Sequence, residues 1–229
     1  MFTSVIIPAA GFGERMGATI AKQFLPLKGK PILVHTLERF QQCAEVNEII
    51  IATQKNSLEQ IEELLSEFQI TKAVTPVPGG ERRQDSIANA LNYIHTQSEI
   101  ICVHDAVRPF IHLREITQTI ETAKYFGASI VAVRAKDTIK KASTDGRVEH
   151  TLQRSSLWMV QTPQTFQRKI LVDAYANAER NQLTATDDSY LVEKIGISPV
   201  IVEGSYDNIK ITTPDDLLLA ELLLQRFVP

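Results

Sequence analysis

The 229-residue chain has little of what marks several large classes of protein. Its only cysteines, Cys43 and Cys102, stand far apart in apolar surroundings, so we expect two buried, reduced thiols and a cytosolic protein rather than a disulfide-bonded one. No stretch reaches the roughly 20 apolar residues of a membrane-spanning helix, and the N-terminus lacks the basic and apolar segments of a secretory signal. The formal net charge of -3 argues against general binding to nucleic acid.

The glycine-rich stretch after the first apolar run matches neither of two common phosphate-binding loops. A P-loop needs G-x-x-x-x-G-K-[ST], but the glycine at position 17 is followed by Ala-Thr. A dinucleotide fingerprint needs G-x-G-x-x-G opening into a helix, whereas the glycines at 11, 13 and 17 are spaced G-x-G-x-x-x-G. Because Arg15 and Lys22 lie in this stretch, we interpret it as a loop that wraps a polyphosphate with backbone N–H groups and adds side-chain charge.

Apolar runs of strand length alternate with helix-like segments along the chain. Strands are predicted at Thr3–Pro8, Glu48–Thr53, Ala73–Val77, Ile100–His104 and Ser129–Val133. Helices are predicted at Ile32–Phe40, Leu58–Phe68, Ser86–Ile94 and Glu115–Phe126. Continuous apolar strands joined by helices indicate an α/β fold, a mostly parallel sheet with helices on both faces, within a single domain over 1–229.

The segment 137–154 breaks this alternation and reads as two short strands around a Thr144-Asp145-Gly146 turn. It contains few residues that can form a core, so we expect it to project as a β-arm, with 137–156 as its bounds. An isolated two-stranded hairpin is only marginally stable in water. The arm therefore predicts a partner, most simply a second copy of the chain.

Further polar motifs follow the carboxyl ends of predicted strands, where ligands bind in parallel sheets. In PGGERRQDS, Gly79 and Gly80 allow close backbone approach to a planar ligand, and Ser86 begins a helix beside that ligand. A turn followed by a capped helix would have the same sequence without any ligand. Asp105 follows an apolar run near the predicted polyphosphate loop, which favours a Mg²⁺-organising role over a simple turn. Lys210, flanked by isoleucines, must leave the core on the opposite face or at the site.

The motifs together resemble one family. AAGFGERMG with KQF, PGGERRQDS, HDAVRPF, QTPQTF, TDDS and DNIKITTPDD occur in this order over essentially the whole chain, and the combination resembles the 2-C-methyl-D-erythritol 4-phosphate cytidylyltransferases. Ala21, where the family usually has proline, is a departure that leaves Lys22 in place. The resemblance implies a Rossmann-like, GT-A-like nucleotidyltransferase fold, CTP and a sugar-alcohol phosphate as substrates, Mg²⁺, and a homodimer whose arm completes the neighbour's site.

The resemblance also assigns residues by motif. Catalytic roles are implied for Arg15, Lys22, Arg154 and Lys210, and nucleotide binding for Ala9, Ala10, Gly11, Gly13, Gly79, Gly80, Ser86 and Asp105. Substrate binding is implied for Asp105, Ala106, Arg108, Thr138, Arg154, Thr186 and Lys210, with Asp105 also predicted at the metal. A phosphate monoester is already nucleophilic, so such a site needs cations rather than a general base, in keeping with the absence of a Ser-His-Asp or Cys-His set.

Three other functions remain open at the level of sequence. A ribitol 5-phosphate cytidylyltransferase would carry much the same motifs and differ in the polyol alone. Sugar-phosphate nucleotidyltransferases that use UTP or GTP form a wider class. A catalytically silent nucleotide-binding protein is a different kind of hypothesis, against which the two loop cations and Asp105 argue.

Overall fold

The main sheet and its helices are seen in a computed structural model that describes residues 1–11 and 20–227. Within these residues the strands are β1 (Phe2–Pro8), β2 (Pro26–Leu27), β3 (Lys30–Pro31), β4 (Glu48–Thr53), β5 (Val77–Pro78), β6 (Ser98–Val103), β7 (Ala128–Arg134), β8 (Lys140–Ala142), β9 (Val148–Thr151), β10 (Trp158–Gln167) and β11 (Val200–Glu203). The helices are α1 (Ile32–Gln42), α2 (Leu58–Glu67), α3 (Arg83–Leu91), α4 (Leu113–Phe126), α5 (Arg168–Arg180), α6 (Asp188–Glu193) and α7 (Pro214–Phe227). The predicted site residues Gly13 and Arg15 lie outside the described residues.

The sheet is mostly parallel, as the sequence predicts. Its order is β11-β7-β10-β6-β1-β4-β5, with β1 parallel to both β4 and β6. Strand β10 runs antiparallel to its neighbours β6 and β7, and no strand was predicted there. The central position of β1 brings the carboxyl ends of β1, β4 and β6 side by side, and these ends carry the polar motifs.

The two faces of the sheet bury alternate residues of the same strands. On β1, Val5 and Ile7 pack in a core with α1, α2 and α4, whereas Ile6 packs in a second core with α3, α5 and α6. Both sets are fully buried, and each large aliphatic side chain so buried contributes roughly 1.5–3 kcal/mol. The prediction of helices on both faces is confirmed. A third cluster, which includes Phe110 and Leu223, packs α7 against the chain after β6.

Two predicted elements differ from the structure by three or more residues at one end or both. The strand predicted at Ala73–Val77 is wrong: Ala73 forms a single bridge to Ile49, and the paired strand is Val77–Pro78. Pro76 has no N–H to donate to a ladder, which interrupts pairing between these points. The helix predicted to begin at Ser86 begins at Arg83, because the Asp85 carboxylate accepts a hydrogen bond from the backbone N–H of Arg82 and caps the first turn.

The predicted hairpin is present as β8 and β9, which pair antiparallel with Lys140 opposite Thr151. Every residue of both strands is exposed, and Val148 is 62% exposed. Gly146 takes the left-handed conformation that the turn requires, with a φ of 82°. The segment therefore adds almost nothing to the core of its own chain.

Both cysteines lie in the interior of the protein. Cys43 and Cys102 are free and buried, and burial raises the pKa of the Cys102 thiol to about 12, so that it stays protonated. This confirms the predicted buried thiols. Across residues 1–11 and 20–227, no helix is both long enough and apolar enough to cross a membrane.

Candidate active site

Two adjacent cavities open at the carboxyl ends of β1 and β6. The first cavity, of about 180 Å³, is lined by residues that include Ala9, Ala10, Gly11, Lys22, Gly80, Ser86, Asp105, Ala106 and Lys210. The second cavity, of about 220 Å³, is lined by residues that include Asp105, Arg108, Thr162, Gln164, Thr186 and Lys210. Arg83, Asp105 and Lys210 line both cavities, so the two spaces meet at this group.

The wall of the first cavity is built where β1 ends. The backbone N–H of Ala9 donates to Ala52 O at 2.7 Å, which continues the pairing of β1 with β4 past the strand. The buried Gln23 side chain donates from Nε2 to Ala9 O at 2.6 Å and ties the short 3-10 turn Lys22–Phe24 to the same point. Gln23 thus holds Lys22 at the cavity, a role that the sequence analysis did not assign.

The departure at Ala21 leaves this turn intact. Ala21 has a φ of -63°, which is the value that the proline usual in the family would impose. The backbone N–H of Phe24 donates to Ala21 O at 2.9 Å and closes the turn. Alanine therefore reaches the same backbone conformation without the ring.

The glycine pair of PGGERRQDS is required by contacts within the protein itself. A Cβ on Gly79 would lie 2.7 Å from Ala10 Cβ, and one on Gly80 would lie 2.4 Å from Asp85 Cβ. The Gly80 N–H donates to Ser86 Oγ at 3.0 Å, and Ser86 is buried beneath the first cavity. Gly80 and Ser86 line that cavity, whereas Gly79 packs behind Ala10, so its predicted contact with a nucleotide stays a prediction.

Gly80→Ala should lower the free energy of unfolding by about 1–3 kcal/mol, the usual cost of overpacking a tight contact. The added methyl group would meet both Asp85 Cβ and the Asp85 backbone carbon, at 2.4 and 2.9 Å, and backbone cannot move aside cheaply. Urea unfolding followed by circular dichroism measures the change. Gly11→Ala is the matched control, since no atom of the described residues lies within 4 Å of its added Cβ. Equal stability of the two variants would contradict the packing argument.

Asp105 is the centre of a cluster of cations at the junction of the cavities. Its Oδ1 accepts from Arg83 Nε at 3.1 Å, and its Oδ2 lies 2.9 Å from Lys210 Nζ and 3.3 Å from Arg108 Nε. Burial by itself would raise the pKa of Asp105, but the charges of Arg83, Lys210 and Arg108 outweigh it and hold that pKa well below its usual range. The carboxylate is therefore ionised, and it holds three cations next to the space where an anionic ligand fits.

The surrounding chain fixes the position of this cluster. The backbone N–H of Asp105 donates to Thr162 Oγ1 at 3.0 Å, which ties the end of β6 to β10. Arg108 donates from Nη1 to Asn208 O at 2.7 Å. His104 is buried and its pKa is lowered to about 4 by burial, so the ring is neutral at pH 7, in keeping with the absence of any assigned role.

Five of the predicted substrate residues line the cavities. Arg108 and Thr186 line the second cavity, Ala106 lines the first, and Asp105 and Lys210 line both. Thr186 does not cap the helix that follows it; the cap is Asp187, whose side chain accepts from Tyr190 N at 3.0 Å.

Thr138 and Arg154, at the base of the arm, are not among the residues that line either cavity of their own chain. The Arg154 side chain is exposed and donates from Nη1 to Lys136 O at 2.5 Å. The described part of one chain therefore does not bring them to the other predicted residues.

The described residues do not fit a protein-held magnesium site at Asp105. Mg²⁺ binds hard oxygen ligands, usually one or two carboxylates together with substrate phosphates. Both oxygens of Asp105 already contact cations within 3.3 Å, and these three positive charges oppose a divalent ion at the same carboxylate. In the described ranges no group of three or more His, Cys, Asp or Glu side chains is placed to hold a metal ion. The predicted ligation by Asp105 thus has no support in the geometry.

Comparison with known proteins gives one consistent result. The family model for 2-C-methyl-D-erythritol 4-phosphate cytidylyltransferase matches residues 3–226. A curated relative of that name from Lysinibacillus sphaericus is 46% identical over 97% of this chain and 95% of its own length. Another from Syntrophus aciditrophicus is 42% identical over 96% and 95%.

Solved structures agree with this result over the whole fold. The 4-diphosphocytidyl-2C-methyl-D-erythritol synthase of Anaerococcus prevotii superimposes with a TM-score of 0.88 at 33% identity, covering 98% of this chain and 96% of that one. The 2-C-methyl-D-erythritol 4-phosphate cytidylyltransferase of Francisella tularensis gives 0.81 at 37% identity, covering 97% and 100%. The similarity therefore extends over nearly the whole chain, including the sheet and the helices.

Proposed function

Since the chain belongs to the 2-C-methyl-D-erythritol 4-phosphate cytidylyltransferase family, it transfers a cytidylyl group from CTP to that sugar-alcohol phosphate in isoprenoid biosynthesis, and we propose that the two joined cavities are where it does so. CTP occupies the first cavity and the methylerythritol phosphate occupies the second. The observation that carries this assignment is the group shared by both, Arg83, Asp105 and Lys210, because two anions that must react with each other need cations where they meet.

The proposed reaction is a direct attack by one phosphate on another. An oxygen of the methylerythritol phosphate forms a bond to the α-phosphorus of CTP, while the bond from that phosphorus to the bridging oxygen breaks and pyrophosphate leaves. The attacking monoester is already an anion, so no general base is needed. The main barrier is electrostatic, and preorganised cations lower it by stabilising the charge that develops on the α-phosphate and the leaving group.

The residues assigned by motif each have a proposed part in this step. Lys22, together with Arg15 from the loop outside the described residues, stabilises charge at the α-phosphate. Lys210 and Arg154 orient the attacking phosphate, and Arg108 and Thr186 hold the rest of the polyol phosphate. Asp105 is already paired with three cations, so a magnesium ion would be held by the triphosphate of CTP, where it would offset negative charge.

We further propose a homodimer in which the arm of one chain completes the site of the other. The support is that the arm strands are exposed along their whole length and that Arg154 and Thr138 line neither cavity of their own chain. A partner that covers the arm would give its few apolar residues, such as Val148, something to pack against. The same contact would bring Arg154 to a phosphate in the neighbouring site.

We expect the protein to release pyrophosphate fastest from CTP with methylerythritol phosphate, in a magnesium-dependent reaction. The test crosses CTP, UTP, ATP and GTP with methylerythritol phosphate and ribitol phosphate, and compares kcat/KM for each pair. The first cavity has room for a small pyrimidine walled by backbone near Ala9 and Gly80, which favours CTP over the purine nucleotides. Equal use of all four nucleotides would refute the proposed pocket, and faster turnover of ribitol phosphate would favour the related ribitol enzyme.

A further inference from the structure

Two cations line both cavities, and only one of them was assigned a role from the sequence. Lys210 was predicted to orient the substrate phosphate, whereas Arg83 in PGGERRQDS was assigned no role. Arg83 is the first residue of α3, and its side chain is 27% exposed. It therefore lies where the two reacting phosphates would approach one another.

Arg83 is held between two carboxylates. Its Nε donates to Asp105 Oδ1 at 3.1 Å, and its Nη1 donates to Asp188 Oδ2 at 2.8 Å. The side chain of Asp188 is only 1% exposed, and its other oxygen accepts from the Tyr175 hydroxyl at 2.6 Å. Tyr175 thus occupies Oδ1 of Asp188 and leaves Oδ2 directed at Arg83.

Asp188, the second carboxylate that holds Arg83, is itself fixed to the wall of the second cavity. The Gln164 side chain on β10 accepts from the backbone N–H groups of Asp188 and Ser189 through Oε1, at 3.0 and 2.9 Å. Gln164 also lines the second cavity. Asp188, whose carboxylate links Tyr175 to Arg83, is therefore tied to the sheet through its backbone, and Arg83 lines both cavities.

We propose that Arg83 is a catalytic residue that contacts both reacting phosphates, and that Asp188 and Tyr175 are positioning residues that hold it at the junction. This inference rests on the proposed function of the two cavities. A guanidinium has five N–H donors in a planar fork, more than its two carboxylate contacts require, so it can bind phosphate oxygens without releasing its anchors. The second anchor prevents Arg83 from collapsing onto Asp105, which must also hold Lys210.

A purely structural role gives a different expectation. The Arg83–Asp188 pair also joins α3 to α6, and a structural role would make it only a link between these helices. Buried ion pairs often add little to stability because the desolvation of both charges offsets their attraction. A structural link would change the unfolding temperature, and turnover would fall only as far as the folded fraction falls.

The test compares Arg83→Gln, Asp188→Asn and Tyr175→Phe in steady-state turnover of CTP and methylerythritol phosphate. We expect Arg83→Gln to lower kcat by about 10²-fold, the lower part of the range for loss of one transition-state donor. Asp188→Asn should lower kcat by roughly tenfold, because the guanidinium remains but loses an anchor, and small misplacements are costly. Tyr175→Phe should give a smaller loss in the same direction, with KM for both substrates changed less than kcat.

The control and a rescue measurement make the result decisive. The control is Arg168→Gln. Arg168 is the first residue of α5, as Arg83 is of α3, but it lines neither cavity, so this substitution should leave kcat unchanged. Low-millimolar guanidinium should restore part of the kcat of Arg83→Ala, whereas sodium chloride at equal ionic strength should not. If Arg83→Gln does not fold, the kcat values of Asp188→Asn and Tyr175→Phe test the role of Arg83 in its place.

The possible failures are distinguishable. A folded Arg83→Gln with wild-type kcat would overturn the role of Arg83 while leaving the proposed function intact. The same conclusion would follow if turnover in all three variants fell only in proportion to the fraction of protein that is unfolded. A wild-type protein that releases no pyrophosphate from any nucleotide and polyol phosphate pair would overturn both.

Discussion

Replacing Lys22 by alanine should lower kcat by about 10²–10³, equivalent to about 3–4 kcal/mol of transition-state stabilisation. Lys22 lines the first cavity at the start of a short turn that Gln23 anchors to Ala9, so its ammonium is delivered by rigid backbone. Charge on the α-phosphate and the leaving pyrophosphate grows as the bond breaks. A cation fixed beside them is therefore more valuable in the transition state than in the bound ground state.

The measurement that tests this is the kcat and KM of the variant for both substrates, by pyrophosphate release. Lys55→Ala is a matched control, because Lys55 also begins a three-residue 3-10 turn but is exposed and lines neither cavity. We expect Lys55→Ala to resemble the wild type. A Lys22→Ala variant with a raised KM for CTP and an unchanged kcat would mean that Lys22 only binds the ground state.

The sheet, and the meeting of the polar motifs at one edge of it, could be predicted from the sequence for a simple physical reason. Strands buried on both faces have continuous apolar runs, so β4 at Glu48–Thr53 was predicted with the same bounds that the structure gives. Parallel strands end at the same edge, so residues that follow separate strands, such as Ser86, Asp105 and Lys22, were expected to meet. They line one cavity.

Strand β10 could not be predicted from hydropathy, because it buries polar residues. Its buried polar residues are Gln161, Thr162, Gln164 and Thr165. Three of them form hydrogen bonds through their side chains to other segments of the same chain: Gln161 donates to Ser205 O, Thr162 accepts from Asp105 N, and Gln164 accepts from the backbone of α6. The pattern of apolar and polar residues predicts that such a segment is exposed at the surface. The residues that position the site, including Gln23 and Asp188, were missed for the same reason.

The arm could be predicted as an element but not as part of a site. Its strands were readable from the Thr144-Asp145-Gly146 turn, and its exposure followed from the lack of core residues. The location of Arg154 relative to a phosphate depends on what covers the arm, which is information about a second chain. Resemblance alone assigned Arg154 to the reaction, and a test with two chains is needed to place it.

Co-expression of Lys22→Ala and Arg154→Ala chains should restore activity that each variant lacks alone. If Arg154 acts on the neighbouring chain and Lys22 on its own, a mixed dimer has one site that carries both defects and one site that carries neither. Each verified heterodimer should then have up to about half the activity of the wild-type dimer, provided that the sites are independent. The two chains carry different affinity tags, so that heterodimers are isolated before pyrophosphate release is measured.

A second pairing shows whether the recovery depends on the arm. Lys22 and Lys210 both line the first cavity of a single chain, so in a Lys22→Ala and Lys210→Ala heterodimer every site keeps one defect and no activity should return. Recovery with Arg154→Ala but not with Lys210→Ala would establish that the arm acts across the dimer. Isolated heterodimers of Lys22→Ala and Arg154→Ala that stay inactive would instead mean that Arg154 serves its own chain, or that the two subunits do not share sites. Arg154 lies outside both cavities of its own chain. If Arg154 serves its own chain, the exposed arm must therefore fold back toward those cavities.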